Sequence, residues 1–178
     1  MSRRGLSDVV SCGLFLVLFG VLIGFVSQNA AAQEAVDLKA MPKPLLAPVV
    51  GHRGHSSIQP ENTIPAVLQC VETGAHGCEC DLQRSKDGKI VLFHDVKTDR
   101  KLRDSDGNKM LGEIVDYDFE TLRSSDAGIW KGEQFRGTKI ATLDEYLDAL
   151  KDTDCIPVIE LKKPGLVEDV VAAVKARS

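Results

Sequence analysis

Residues 75–82 have the sequence AHGCECDL, which predicts a β-strand with two chemically different faces. Because successive side chains of a strand alternate, Glu79 and Asp81 point to one face and the residues between and beside them point to the other. Two carboxylates held this close require a cation or a proton to offset their repulsion. The segment therefore predicts a strand that carries a site for a hard metal ion.

A strand–helix–strand unit is predicted around this segment. The apolar stretch from Leu46 to His52 predicts a buried strand that ends at a glycine-containing turn. A helix is then expected to begin after Thr63 as N-cap and to end at Gly74, with a buried stripe at helical spacing formed by Ile64, Val67, Leu68 and Val71. Such short connections join parallel strands, so the pattern indicates an α/β fold.

A β-hairpin is predicted where residues 86–89 have the sequence KDGK. If Asp87 and Gly88 form a two-residue type I′ turn, Asp81 faces His94 with Cβ atoms about 5 Å apart. A β-bulge would change this register. The hairpin is therefore expected to bring His94 to the carboxylate face.

The rest of the chain predicts an insertion followed by another βα unit. Residues 95–138 are polar and too long for an ordinary connection, and we expect a partly structured insertion over the site. Residues 142–145, with the sequence TLDE, form a capping box that opens a helix. Residues 156–162 predict a third parallel strand, with Glu160 and Lys162 on one face, and a valine-rich helix follows.

Residues 1–32 predict an export signal. Two arginines precede an apolar run at residues 9–26, and the alanines at residues 30–32 match the preference of signal peptidase. The run is longer than a usual signal core, so an uncleaved membrane anchor is the alternative. With residues 33–46 as a linker, we expect an exported protein that is periplasmic or extracellular, or anchored to the membrane by residues 9–26.

Charge and cysteine content limit the other classes of partner. The net charge is −4 and no basic run lies outside the amino terminus, which excludes a typical nucleic-acid-binding protein. An oxidising compartment permits a disulfide, but buried apolar thiols are favoured, and zinc would need a second Cys or His pair. The four cysteines concerned are Cys70, Cys78, Cys80 and Cys155.

Charged residues end each of the three predicted parallel strands. In α/β folds the carboxyl ends of parallel strands meet at one edge of the sheet, where ligands bind. The recurrence of charged residues at three successive strand ends favours a functional site over isolated surface charges. The residues are His52 and Arg53 on the first strand, Glu79 and Asp81 on the second, and Glu160 and Lys162 on the third.

Five motifs stand in an order that resembles the glycerophosphodiester phosphodiesterases, which are related to the phosphatidylinositol phospholipases. The resemblance covers about residues 47–165 and implies a TIM (β/α)8 barrel. It also implies hydrolysis of a small-molecule glycerophosphodiester to an alcohol and sn-glycerol 3-phosphate, in glycerophospholipid metabolism, with one Ca²⁺ or Mg²⁺ ion. The motifs are GHRG at 51–54, PENT at 60–63, Glu79-x-Asp81, KDG at 86–88 leading to His94-Asp95, and ELK at 160–162.

The resemblance assigns a role to each matching residue. Glu79, Asp81 and Glu160 would be the metal ligands, and three carboxylates without Cys or His favour a hard ion over zinc. His52 and His94 would be the general acid and base. Arg53 and Lys162 would bind the phosphate, and Glu61 and Asn62 would orient a histidine or a metal ligand.

The chain is short for the implied fold. A (β/α)8 barrel takes about 250 residues, so we expect residues 47–178 to be the N-terminal part of a barrel truncated after about three βα units. The leading hypothesis is a glycerophosphodiester phosphodiesterase. A phosphatidylinositol phospholipase fits less well with Glu79-x-Asp81 and Glu160-x-Lys162. The third hypothesis is an inactive remnant that binds metal or phosphate without turnover.

Overall fold

The computed structural model describes residues 47–177, and the predicted export signal, anchor and linker lie outside the described residues. A strand–helix–strand unit is followed by a hairpin strand, two helices, a strand and a helix, with short 3-10 turns at Ile114–Asp116 and Glu133–Phe135. The strands are β1 (Val50–Gly51), β2 (Gly77–Arg84), β3 (Ile90–Leu92) and β4 (Ile156–Leu161). The helices are α1 (Ile64–Glu72), α2 (Phe119–Ser124), α3 (Leu143–Leu150) and α4 (Val167–Lys175).

Strand β2 is the centre of the sheet. It pairs in parallel with β1, from Val50 opposite Gly77, and in parallel with β4 on its other edge. The hairpin strand β3 pairs antiparallel with the last part of β2. The parallel α/β arrangement predicted from the sequence is confirmed, and Asp81 and Glu160 are directly opposite each other in the β2–β4 register.

The predicted register of the hairpin was wrong by one residue. Ser85 and Lys89 close the loop, and the Gly88 N–H donates to the Ser85 carbonyl at 3.0 Å. Gly88 has a φ of 94°, so the connection is a three-residue loop with a G1 bulge instead of a two-residue type I′ turn. The extra residue makes Phe93, not His94, the neighbour of Asp81, with Phe93 N–H donating to the Asp81 carbonyl at 2.9 Å.

The first strand is shorter and more exposed than predicted. Only Val50 and Gly51 form the ladder, and Val49 and Val50 are 61% and 46% exposed. The reason is that β1 is paired on one edge only within residues 47–177. Leu68, predicted to belong to the buried stripe of α1, is also exposed, because the buried face is centred on Ala66, Val67 and Cys70.

The main core lies between the sheet and its helices. Leu82 and two cysteines of β2 pack against α1 and α3, and all four cysteines of the described residues are free and buried. Helix α3 begins at the predicted capping box, where Thr142 and Glu145 each accept the other's backbone N–H. The largest members of this core are Leu82, Leu92, Tyr146 and Leu166.

The insertion at residues 95–138 shares a second hydrophobic core with the end of the hairpin. Leu102, Met110, Ile114 and Leu122 are buried together with residues of β3 and with Ile140. Asp126 orders its last part by accepting the backbone N–H groups of residues 128, 129 and 137 at 2.6 to 2.9 Å. The insertion is therefore a packed layer against the end of the hairpin.

Apolar side chains remain exposed on β4 and α4. Ile156 and Val158 share the strand face that carries Glu160, and they are 65% and 39% exposed. Val167 and Val171 of α4 are exposed as well. Within residues 47–177 the strands form an arc of a barrel, and no helix of that part is long and apolar enough to cross a membrane.

Candidate active site

The predicted site residues gather at the carboxyl ends of the parallel strands. His52 and Arg53 directly follow β1, and Lys162 directly follows β4. The acidic residues lie within β2 and β4, on the face opposite to the main core. His94 comes two residues after the hairpin strand β3. The fold thus brings residues from four separate strands to one edge.

Two residues of the site have left-handed backbone conformations. Arg53 and Asn62 have φ angles of 59° and 58°, a region that non-glycine residues seldom occupy. The Asn62 N–H donates to the Arg53 carbonyl at 3.1 Å, which joins the two turns. Gly54 also requires its residue type, because its φ is 77° and a Cβ atom would lie 2.7 Å from the Ala66 carbonyl group.

Arg53 and Asn62 hold the two carboxylates of β2. The Arg53 backbone N–H donates to Glu79 Oε2 at 2.7 Å. Asn62 contacts Asp81 twice, since its Nδ2 donates to Asp81 Oδ2 at 2.7 Å and its Oδ1 accepts the Asp81 N–H at 3.1 Å. Of the two alternatives predicted for Asn62, the structure therefore places it against Asp81 and not His52.

Glu79, Asp81 and Glu160 form one acidic cluster. One carboxylate oxygen from each lies within 4.8 Å of the others. Asp81 is fully buried, whereas the Glu160 side chain is 54% exposed. Burial raises the pKa of Glu79 above its ordinary value, and the charge of Asp81 adds to that increase against the opposing hydrogen bond from Arg53. Burial thus outweighs the hydrogen bond that Glu79 accepts.

The acidic cluster fits a hard divalent cation. Two ligands on opposite sides of Ca²⁺ are separated by about twice its 2.3–2.6 Å bond length, about 5 Å, which the 4.8 Å limit satisfies. Glu79 Oε1 is buried and has no hydrogen-bond partner within residues 47–177. An unpartnered buried carboxylate oxygen is costly unless a ligand binds it. The residues present therefore suit one Ca²⁺ or Mg²⁺ ion.

Two cations border the acidic cluster. Lys162 Nζ lies 2.9 Å from Asp81 Oδ1 and 2.5 Å from Glu160 Oε1. The Asp81 contact is an ion pair without hydrogen-bond geometry. Burial by itself lowers the pKa of Lys162, but the two carboxylates raise it above its ordinary value. Arg53 Nε lies 3.4 Å from Asp81 Oδ2 on the other side.

The two histidines differ in their surroundings. His94 Nδ1 lies 3.0 Å from Asp95 Oδ1, and 31% of the His94 side chain is exposed. His52 is exposed at the end of β1 and is one of the neighbours that oppose the increase in the pKa of Glu79. A carboxylate can only accept, so Asp95 orients His94 with Nδ1 as the donor and Nε2 directed away from this contact.

Sequence reasoning missed a second polar cluster beside His94. Glu61, His94 and Asp95 offer ligand atoms within 4.8 Å of one another, and the Lys101 ammonium contacts both carboxylates. Arg100 also binds Asp95, at 2.8 Å. Lys101 and Arg100 lie within the polar insertion, where a charged residue is ordinarily a solvated one. Only Asp95, the carboxylate next to His94 in the motif, hinted at a partner.

The fold defines part of an α/β barrel with charged side chains grouped at one edge of its sheet, and comparisons identify its family. Residues 52–177 match the glycerophosphoryl diester phosphodiesterase family. The chain belongs to this family, as the motif resemblance predicted.

Individual relatives agree with this assignment. The chain is 39% identical to a glycerophosphodiester phosphodiesterase of Caldanaerobacter subterraneus subsp. tengcongensis over 71% of this chain and 52% of the relative. It is 32% identical to a Bacillus subtilis glycerophosphodiester phosphodiesterase over 91% of this chain and 56% of the relative. The chain therefore spans about half the length of these relatives.

Solved structures of family members share the fold. A glycerophosphodiester phosphodiesterase from Agrobacterium tumefaciens matches with a TM-score of 0.66 and 30% identity, over 74% of this chain and 54% of the other. A phosphodiesterase from Oleispira antarctica, in complex with the product sn-glycerol 3-phosphate, matches with a TM-score of 0.62 and 32% identity, over 75% and 52%. These barrels confirm the predicted fold class, of which this chain supplies about three βα units.

Proposed function

We propose that this protein is a metal-dependent phosphodiesterase that hydrolyses glycerophosphodiesters to an alcohol and sn-glycerol 3-phosphate. The observation that carries the proposal is the edge site, where an acidic cluster, two histidines and two cations come together. Deacylated phospholipid headgroups such as glycerophosphocholine are the substrate class. Family membership and the product complex of the Oleispira antarctica relative support this choice.

Charge neutralisation is the first requirement of the reaction, because a phosphodiester is an anion with a poor leaving group. Arg53 and Lys162 supply positive charge at the rim of the site, and an arginine suits two-point binding of phosphate. Glu79, Asp81 and Glu160 would hold one divalent ion, which would polarise the phosphoryl group. Asn62 keeps Asp81 oriented through its two hydrogen bonds.

Proton transfer is the second requirement. His94 donates from Nδ1 to Asp95, which leaves Nε2 to hold or release a proton at the substrate. His52 follows β1, so the two histidines approach the edge from different strands. We assign them as the acid and base pair. The neutral histidine would accept a proton from the attacking water molecule, whose oxygen bonds to phosphorus. The histidinium would protonate the alkoxide as its bond to phosphorus breaks.

The assignment is tested by release of glycerol 3-phosphate from glycerophosphocholine. In the 178-residue chain, EDTA should abolish release and added Ca²⁺ or Mg²⁺ should restore it. His52→Ala and His94→Ala should each lower kcat by about 100-fold or more. His55→Ala is the matched control, because the His55 ring is hydrogen-bonded to Ser57 and has no assigned part in the reaction. Activity that is insensitive to chelator would contradict the metal role, and a fully active His52→Ala would contradict the acid–base role.

A second candidate is a remnant that binds metal or phosphate without turnover. The exposed apolar residues Ile156 and Val158 favour it, since they lie on the same strand face as Glu160. Calorimetric titration with Ca²⁺ separates the candidates. Binding without glycerol 3-phosphate release by this chain, together with release by a full-length relative in the same assay, would favour the remnant.

Export through residues 1–32 is part of the proposal. The support is the charge and hydropathy pattern of that segment. Fractionation of cells expressing a tagged chain should recover a shortened protein outside the cytoplasm if the signal is cleaved. A full-length product in the membrane fraction would instead indicate that residues 9–26 act as an anchor. Full-length protein in the cytoplasm would contradict export.

A further inference from the structure

A buried lysine lies between Glu61, which binds Arg53, and Asp95, which contacts His94. The Lys101 side chain is only 4% exposed, although it comes from the polar insertion. Its ammonium group contacts Glu61 Oε1 and lies 3.1 Å from Asp95 Oδ1. It also lies 5.7 Å from the ring centre of Phe93 and 5.6 Å from that of Trp130. A buried ammonium needs this degree of compensation, so its position is well defined.

The two carboxylates that contact Lys101 are the ones that orient site residues. Glu61 Oε1 accepts from Arg53 Nη1 at 2.9 Å as well as from Lys101. Asp95 Oδ1 contacts His94 Nδ1 at 3.0 Å as well as Lys101. The same two oxygen atoms therefore connect Arg53 to His94 in one continuous polar chain, and Lys101 is its central member.

The electrostatics of the carboxylates agree with this arrangement. Burial tends to raise the pKa of Glu61, but Lys101 and Arg53 together lower it below its ordinary value. Burial likewise acts on Asp95, where hydrogen bonds from Arg100, His94 and Lys101 lower the pKa well below its usual range. Both groups are therefore anions next to Lys101.

Lys101 occupies the place where a second cation would bind. Glu61, His94 and Asp95 have the donor atoms and spacing of a metal site, but the ammonium group already contacts both carboxylates. In the acidic cluster of Glu79, Asp81 and Glu160, Lys162 also contacts two of the carboxylates, Asp81 and Glu160. That cluster differs because Glu79 Oε1 remains buried without a hydrogen-bond partner among residues 47–177.

We propose that Lys101 is a positioning residue that replaces a second metal ion and sets the spacing between His94 and Arg53. It acts through Asp95 on His94 and through Glu61 on Arg53. The proposal rests on the proposed function for its effect on turnover, but its effect on metal binding is independent of turnover. Removing the ammonium should both misplace the acid–base group and open a second cation site.

Metal stoichiometry provides the test that does not need activity. Terbium(III) prefers carboxylate oxygens, and Trp130, the only tryptophan in the sequence, lies next to Lys101 and would sensitise terbium emission. We expect the wild-type chain to bind one ion and Lys101→Ala to bind two, with stronger tryptophan-sensitised emission. Lys131→Ala is the matched control, because Lys131 also lies over Trp130, at 5.9 Å, but donates to the Ser56 carbonyl.

Turnover provides the second test. Lys101→Met keeps the length of the side chain and removes its charge, and we expect kcat to fall by about 10- to 100-fold with a smaller rise in KM. Lys101→Arg should recover most of that loss, because it restores a cation between the two carboxylates. Thermal unfolding of each variant shows whether it is folded. If Lys101→Ala or Lys101→Met does not fold, Lys101→Gln takes its place in the experiment.

The outcomes are distinguishable. A second terbium ion in Lys101→Ala, with reduced kcat in Lys101→Met and recovery in Lys101→Arg, would support the proposal. One ion in both the wild type and Lys101→Ala would overturn it, and so would wild-type kcat/KM in Lys101→Met. If the wild-type chain shows no turnover, the proposed function fails, and the terbium stoichiometry alone then decides the role of Lys101.

Discussion

Replacing Asn62 should destabilise the protein more than any ordinary surface substitution. Asn62 is 3% exposed, and its side chain makes two hydrogen bonds to Asp81, one to the carboxylate and one to the backbone N–H. Asn62→Ala removes both and leaves an alanine at a φ of 58°. The substitution therefore tests the interlocked turns directly.

The magnitude follows from three contributions. A hydrogen bond to a charged group contributes about 1.5–3 kcal/mol, and leaving the Asp81 N–H unpaired costs about 1–3 kcal/mol. Alanine adopts the left-handed region less readily than asparagine, which adds up to about 1 kcal/mol. Arg53 Nε remains 3.4 Å from Asp81 Oδ2 and limits the first loss. We therefore expect Asn62→Ala to lower the free energy of unfolding by about 3–5 kcal/mol.

Urea denaturation followed by circular dichroism in EDTA measures this loss. Asn62→Gly should be about 1 kcal/mol more stable than Asn62→Ala, because glycine adopts the left-handed conformation without strain. Asn108→Ala is the control, since Asn108 is exposed and its side chain contacts only Asp104 at 3.3 Å. A loss of less than about 1 kcal/mol in Asn62→Ala would refute the stabilising role of the two hydrogen bonds between Asn62 and Asp81.

Three further predictions concern charge, thiols and the hairpin. Because the pKa of Glu79 is raised, the folded state favours its protonated form. Without metal, ionisation of Glu79 therefore lowers the free energy of unfolding as the pH rises from the unfolded pKa through the raised folded pKa. Glu79→Gln should therefore flatten the pH dependence of urea denaturation in EDTA across that window and abolish the gain in stability from Ca²⁺. If Ca²⁺ stabilised Glu79→Gln as much as it stabilises the wild type, the ligand role of Glu79 would be contradicted. Burial and the neighbouring Cys70 thiol raise the pKa of Cys155 to about 11. Alkylation of this buried thiol at pH 8, followed by mass spectrometry, should therefore be about 100-fold slower in the native protein than in urea. Equal rates would contradict its burial. Gly88→Ala should lower the free energy of unfolding in urea denaturation by about 1 kcal/mol, because Gly88 has a φ of 94° and open space for a Cβ atom. No loss would contradict the bulged turn.

Much of the fold could be predicted because the relevant signals are local. The alternation of Glu79 and Asp81 with apolar residues indicated a strand with a polar face, and the capping box at Thr142 located the start of α3. The errors have physical causes as well. The hairpin register depends on whether Gly88 closes a two-residue or a three-residue loop, and sequence patterns favour both. The exposure of Val50 depends on which strands flank β1 in the described part of the chain.

The sequence by itself determined the chemistry of the proposed site, because ordered motifs and strand periodicity place carboxylates, histidines and cations at the same ends of parallel strands. It also determined the family, which the comparisons confirmed. Only the tertiary structure decided that Asn62 holds Asp81 and that the buried Lys101 ammonium connects Glu61 to Asp95. Neither contact has a local signal, because each joins residues distant in sequence. Asn62 reaches Asp81 from the turn before α1, and Lys101 reaches Glu61 and Asp95 through the packing of the insertion.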